Sequence, residues 1–174
     1  VTENRVISGG QTAAAMLTGI NRQTGVVEWT KPVGNMYGRN GMLFGGRYYA
    51  CLDSVYCLDP ETGNAYWTQP GYNNQGSTPA LSGMYLAHVQ NFTLVVRNNT
   101  TGEILWTRPE VSRQGLTIDE KRVFVSANDT VIAFELANGT ELWKHAIPEE
   151  QSPGFSNAND LARTNDLLVY SIWD

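Results

Sequence analysis

The chain has 174 residues, a net charge of -5 and only 17% charged residues, with 17 glycines and 5 tryptophans. That length holds a sizeable core, while the low charge and excess glycine argue against a helix-rich or coiled-coil chain and favour strands and tight turns. The only lysines are Lys31, Lys121 and Lys144, so there is no basic stripe for a phosphate backbone, which argues against nucleic acid as a partner, and no run of about 18 apolar residues provides a membrane span.

In chain order, short alternating or apolar runs bounded by turn residues predict strands. RVIS comes first. RYYACLD and SVYCLD form a hairpin, STPALSG leads into the hairpin MYLAHV and FTLVVRN, and QGLTID leads into RVFVSAN and TVIAFEL. SNANDLARTN and DLLVYSIWD follow as a last leader and second strand. No helical stretch of about ten residues separates these runs.

The tryptophans set the period. Trp29, Trp67, Trp106 and Trp143 are 38, 39 and 37 residues apart, and each follows a glycine by four positions: Gly25, Gly63, Gly102 and Gly139. The local strings are QTGVVEW, ETGNAYW, TTGEILW and ANGTELW, and three of the four continue as Trp-Thr-x-Pro. Such a unit is one supersecondary motif that buries its face only against its neighbours. Four strands fill one period, the last carrying the Trp, and four-stranded antiparallel sheets at this spacing are the blades of a β-propeller. Four residues before each glycine stands Asn21, Asp59, Asn98 or Glu135. The Asn and Asp side chains predict Asx-type turns and Glu135 is the weakest of the four. The glycines are expected at positive φ, where a Cβ is penalised. Each Trp is expected to bury roughly 200 Å² between adjacent sheets and to give its indole N–H to a carbonyl of the neighbouring blade.

The string YYACLDSVYCLDPETGNAYW, with the weaker copies VFVSANDTVIAFELANGTELW and MYLAHVQNFTLVVRNNTTGEILW, resembles the repeat of the PQQ-like β-propellers, which include quinoprotein alcohol dehydrogenases and non-catalytic scaffold propellers. The resemblance spans about residues 4 to 174. It implies an all-β propeller of about four repeats, a partial or half ring, with repeats over 4–33, 34–71, 72–110, 111–148 and a partial one over 149–174. Aligning the copies gives blades of three, four, four, four and two strands, whereas family propellers generally close with seven or eight blades. Three explanations stay open: a segment of a longer propeller, a half ring completed by another chain through its terminal edge strands, and a compact four-bladed ring. The sequence has neither an initiating Met nor a signal-peptide pattern at its start.

Quinone-dependent catalysis, the enzymatic branch of the resemblance, implies a cofactor on the propeller axis with carboxylates and a calcium or lanthanide ion, and in the alcohol dehydrogenases an adjacent Cys-Cys pair and a Trp platform. No adjacent Cys-Cys pair occurs here, and Trp173, the one tryptophan outside the repeat position, falls in a predicted turn. His88 and His145 lack partners at ligand spacing, so no metal site is expected. No nucleophile elbow, phosphate-binding loop or zinc-protease string is present. Asp53, Asp59 and Asp129 fall in turns, where Asp is ordinary. The expectation is therefore a non-enzyme without cofactor or metal, the alternative being a fragment of a PQQ-dependent alcohol dehydrogenase.

Two further features bear on compartment. Cys51 and Cys57 lie on the two strands of one hairpin; a three-residue turn that sets them opposite one another predicts a cross-strand disulfide, against two small buried thiols in alanine-like sites. Five Asn-x-Thr sequons, at Asn91, Asn98, Asn99, Asn128 and Asn138, exceed the two or so that 15 Asn and 25 Ser plus Thr give by chance. Turn chemistry explains Asn128 and Asn138, and N-glycosylation is the competing reading, with Asn91 the strongest site. Together these features favour an extracellular or secreted scaffold that presents edges and blade faces to other protein chains. Glycan recognition by Tyr37, Tyr48, Tyr49 and Tyr72 rests on composition alone.

Overall fold

The computed structural model describes residues 2–11, 15–34, 41–71, 78–109, 111, 115–127, 130–146, 158–164 and 167–172, which form strands with no helix among them. The chain divides into two compact units, Val1–Pro79 and Ala80–Asp174.

The first unit holds two antiparallel sheets. One runs β1 (Arg5–Gln11), β2 (Ala15–Asn21) and β3 (Val27–Pro32); the other runs β4 (Met42–Phe44), β5 (Arg47–Cys51), β6 (Ser54–Leu58) and β7 (Ala65–Pro70). Alternating side chains point to opposite faces, so Ala15 and Leu17 of β2 face Tyr48, Ala50, Tyr56 and Leu58 in one apolar cluster, with Ile7, Trp29 and Leu43 packed against it. Burying that sheet-to-sheet layer is the main stabilising term in the unit.

The second unit repeats the arrangement. Its sheets are β8 (Ala80–Ser82) to β11 (Ile104–Arg108), with β9 (Tyr85–Gln90) and β10 (Thr93–Asn98) between, and β12 (Leu116–Ile118) to β15 (Glu141–Ala146), with β13 (Arg122–Ala127) and β14 (Thr130–Glu135) between. A two-stranded sheet, β16 (Ala158–Arg163) and β17 (Leu168–Ile172), follows. Ala87, Val89, Leu94, Val96 and Trp106 of one sheet close on Ile118, Val123, Val125, Ile132 and Phe134 of the next. Arg163 Nε donates to the Ile118 carbonyl at 2.8 Å and so ties β16 to the sheet before it. The sheets thus hold three, four, four, four and two strands among the described residues, as the repeat alignment predicts.

One irregularity recurs in each of the four sheets that carry a repeat tryptophan. The ladder between the third and fourth strands shifts between Gly19 and Ile20, between Cys57 and Leu58, between Val96 and Arg97, and between Ala133 and Phe134. Each bulge leaves one fourth-strand residue unpaired immediately before the tryptophan: Glu28, Tyr66, Leu105 and Leu142. A bulge increases local twist and re-aims the neighbouring side chain; here that neighbour is the tryptophan.

Candidate functional site

The four turns preceding the tryptophans share one geometry. The amides of Gly25, Gly63, Gly102 and Gly139 bond back to the carbonyls of Asn21, Asp59, Asn98 and Glu135 at 2.8–2.9 Å, and the four glycines have φ of 71°, 72°, 78° and 72°. Asn21 Oδ1 accepts from the Gln23 and Thr24 amides, Asp59 Oδ1 from Glu61 and Thr62, and Asn98 Oδ1 from Thr100 and Thr101. In the fourth turn Asn138 Oδ1 instead holds the Thr140 amide at 2.8 Å; the extra methylene of Glu135 removes the Asx geometry.

Each unit shows what a tryptophan does with such a turn. Trp29 Nε1 donates to the Pro60 carbonyl at 3.1 Å, and a Cβ built on Gly63 would come within 2.6 Å of the Trp29 ring. Trp106 Nε1 donates to the Leu136 carbonyl at 2.9 Å, and a Cβ on Gly139 would come within 2.7 Å of the Trp106 ring. The indole of one blade therefore lies flat on the glycine of the next blade's turn and bonds the carbonyl three residues before it. In the first unit Arg5 adds ion pairs to Glu28 and to Glu61 of the covered turn, and Thr2 Oγ1 donates to Glu61. Trp143 differs: it is 39% exposed where Trp106 is 9%, and it packs on Phe124 of its own sheet at a ring separation of 5.9 Å.

The fourth strands β3, β7, β11 and β15 are edges of their sheets and alternate or run exposed throughout. They present Val27, Tyr66, Ile104, Leu105 and Leu142 to solvent, and Arg47 lies over the Tyr66 ring at 4.5 Å.

The cysteine expectation is corrected. The β5–β6 hairpin turns about Asp53, so Cys51 faces Val55 and Cys57 faces Tyr49 across the ladder. The turn is centred one residue earlier than a direct Cys–Cys pair requires, a position supported by the bond from Tyr56 Oη to Asp53 Oδ1 at 3.0 Å. Both thiols are buried and neither is in a disulfide. Cys57 is also the cross-strand partner of Trp67, the place filled by Gly19 opposite Trp29, Val96 opposite Trp106 and Ala133 opposite Trp143. Burial pushes the Cys57 thiol up and, with Cys57 beside it, raises the Tyr49 phenol to about 12.

The sequons separate by geometry. Asn91 is exposed in a two-residue turn with Phe92, at φ of 47° and 58°, and Asn138 is exposed in the fourth glycine turn. Asn98 is half-buried and holds its turn, whereas Asn99 is buried and donates Nδ2–H to the Gly83 carbonyl at 2.8 Å. Asn128 lies outside the described residues, as do Asp129, Tyr37, Tyr72 and Trp173. Tyr48 and Tyr49 are buried, which removes them from any glycan-facing surface.

His88 is a satisfied core histidine. Its Nε2 accepts from Arg97 Nε at 3.2 Å, and Arg97 also donates to the Gly102 carbonyl at 2.8 Å. Burial, helped by the Arg97 charge, lowers its pKa from 6.5 to about 3. Arg97 escaped the sequence reading although it stands where the other blades carry Ile20, Leu58 and Phe134; the polar residue in TLVVRN at an inward position was the available signal. Among the described residues no three His, Cys, Asp or Glu side chains gather as a metal requires.

Four-stranded antiparallel sheets, with an indole of one laid on a glycine turn of the next within each unit, define the class as a β-propeller chain. The family model described as outer membrane protein assembly factor BamB matches residues 53–171, about two thirds of the sequence, and the chain belongs to that PQQ-like repeat family. Among solved structures, BamB from Moraxella catarrhalis is similar at a TM-score of 0.73 and 18% identity, over 98% of this chain and 53% of that one. The computationally designed Ika8 protein is similar at a TM-score of 0.74 and 15% identity, over 98% and 53%. A europium-containing methanol dehydrogenase is similar at 0.65 and 8%, over 84% and 40%. The chain thus spans about half the length of the first two, and these likenesses establish the fold. No curated protein sequence matches it.

Proposed function

We propose that this chain is a non-catalytic interaction module of the propeller type, working outside the cell or in a secretory compartment and joining other protein chains through its outer strands. The observation that carries this reading is the row of edge strands β3, β7, β11 and β15, whose unpaired backbone is flanked by exposed Val27, Tyr66, Ile104, Leu105 and Leu142. Unpaired edges with apolar flanks recruit a further strand by main-chain hydrogen bonds and side-chain pockets. The assembly role in the family's description supports the same reading. Exposed turn positions at Asn91 and Asn138 suit N-linked glycans, the main support for the compartment.

Amine crosslinking with mass spectrometry tests it, because Lys31 lies on β3 and Lys144 on β15 while Lys121 lies between β12 and β13. Partner peptides are expected at Lys31 and Lys144; crosslinks confined to Lys121 overturn the outer-strand reading. Titration with PQQ plus calcium or a lanthanide is expected to show no saturable binding, and saturation would return the chain to the oxidoreductase class. Deglycosylation of secreted protein is expected to lower the mass of peptides holding Asn91 or Asn138.

A further inference from the structure

Of the four glycine turns, only the last has a side-chain amide immediately before its glycine. Thr24, Thr62 and Thr101 stand there in the first three, and Asn138 in the fourth. The position has the same task in every turn. Each threonine hydroxyl accepts from the amide two residues on, that of Val26, Asn64 or Glu103, at 3.3 Å, and Asn138 Oδ1 accepts from the Thr140 amide at 2.8 Å. Asn138 performs the task with a shorter bond and brings a reactive group with it. Asn138–Gly139 is the one Asn-Gly pair whose two residues are both described. Attack of the Gly139 nitrogen on Asn138 Cγ closes a five-membered ring, and glycine, lacking a Cβ, leaves that approach open. The Thr140 N–H that Oδ1 already accepts stabilises the oxyanion formed in the attack.

Two contacts hold the nucleophile back. Gly139 N–H donates to the Glu135 carbonyl at 2.8 Å, and the nitrogen must shed that proton to attack. Gly139 is also buried, although Asn138 and Thr140 on either side of it are exposed. The cover is Trp106: a Cβ on Gly139 would come within 2.7 Å of its ring, and Nε1 is fixed to the Leu136 carbonyl at 2.9 Å. Hydroxide reaches the Gly139 amide only when the indole lifts off the turn.

We infer that Asn138 is a site of spontaneous succinimide formation and deamidation, that Trp106 sets the rate by covering Gly139, and that the reaction permanently loosens the junction between the β8–β11 and β12–β15 sheets. In the first step hydroxide takes the Gly139 N–H proton and the nitrogen bonds to Asn138 Cγ. The Cγ–Nδ2 bond then breaks, and the leaving nitrogen takes a proton from water and departs as ammonia. Water opens the imide by one of two routes. Attack at Cγ gives aspartate, and attack at the main-chain carbonyl carbon gives isoaspartate; nothing is oxidised or reduced. Isoaspartate puts an extra methylene into the main chain before Gly139. The Gly139 amide and the Leu136 carbonyl then lose the spacing that seats the indole. Opening and modification reinforce each other: a lifted indole admits hydroxide, and a lengthened turn no longer seats the indole.

Ageing of the 174-residue chain at mildly alkaline pH, in buffer and in urea, tests this. The protein is made in a host without N-glycosylation, because a glycan on Asn138 Nδ2 occupies the leaving nitrogen. The tryptic peptide Val123–Lys144 is read by mass spectrometry, fragmentation placing the amide-to-acid mass gain at Asn138, and by enzymatic methylation of isoaspartate. The wild type is expected to convert at least about tenfold faster in urea than in buffer. Trp106→Phe, which loses the bond to Leu136, is expected to convert about tenfold faster than the wild type in buffer and no faster in urea. Trp143→Phe is expected to behave as the wild type. Wild type aged in urea and refolded is expected to unfold at lower urea than fresh protein, beyond any change in Asn138→Thr, which carries the residue of the other three turns. No conversion in urea, equal rates in buffer and urea, acceleration by both tryptophan variants alike, or no loss beyond that of Asn138→Thr overturns the inference. If Trp106→Phe does not fold, the wild-type comparison of buffer with urea still decides whether the fold holds the reaction back.

Discussion

Gly25 and Gly139 offer a controlled comparison, since alanine at either position faces the same backbone and different surroundings. Their φ values are 71° and 72°, so the left-handed conformation costs each alanine about 1–2 kcal/mol. At Gly25 nothing is added, because the new Cβ has no neighbour within 4 Å. At Gly139 the Cβ would lie 2.7 and 2.8 Å from Trp106 Cε3 and Cδ2. That ring has little room to retreat: Nε1 is held by the Leu136 carbonyl, and Phe134 sits on it with a ring separation of 6.4 Å. Overpacking of this kind adds about 1–3 kcal/mol, so Gly139→Ala is expected to cost about 2–5 kcal/mol against about 1–2 for Gly25→Ala. Urea unfolding followed by circular dichroism measures both. The protein must be dilute enough to be single chains, because association would stabilise the wild type by mass action. Equal costs for the two alanines would refute the claim that the indole on the turn is what locks successive blades.

Trp106→Phe keeps a ring over Gly139 but leaves the Leu136 carbonyl without its donor, and is expected to cost about 1–3 kcal/mol in the same assay, whereas Trp143→Phe costs under about 0.5 kcal/mol. His88 makes the fold sensitive to acid: its folded pKa of about 3 lies below the unfolded 6.5, so the unfolded chain binds more protons and stability falls as pH drops from about 6.5 towards 3. At pH 4.5 the loss is about 2–3 kcal/mol relative to neutral pH, and His88→Gln is expected to flatten that part of the pH profile of thermal unfolding; an unchanged slope would refute the burial argument. Cys51 and Cys57, buried and outside any disulfide, with the Cys57 thiol pushed up, are expected to resist a thiol reagent in the native protein and both to react in denaturant without prior reduction.

The junction was legible in the sequence because its parts are local. An Asn or Asp, a Thr or Asn, a Gly and a Trp fall within nine residues, each with a single job: to accept turn amides, to adopt positive φ, or to span to the next blade. What required the structure was register. Whether Cys51 faces Cys57 or Val55 depends on a one-residue shift in the centre of a turn, and composition does not encode that shift. Arg97 and His88 are nine residues apart and meet only because Thr93 pairs with Gln90 across a two-residue turn. The sequons differ in setting for the same reason: Asn98 and Asn99 are neighbours, yet one holds a turn and the other is buried against Gly83.

The repeats also divide the molecule into positions that are constrained and positions that are not. The turn glycine and the indole serve the junction where each unit forms it, and a change at either acts on the contact between those sheets. The residue at each bulge has no partner in the ladder, and there the blades differ: Glu28, which pairs with Arg5, then Tyr66, then Leu105 and Leu142. All four are exposed on edge strands. Side chains free of packing duty can vary without loss of fold, so differences between blades that a partner reads are expected to concentrate at these outer positions. An acidic residue in the first blade, an aromatic capped by Arg47 in the second and leucines in the third and fourth put three different chemistries on the four edges. On the interaction-module reading proposed above, blade-to-blade stability and partner recognition would fall on different residues of the same strand.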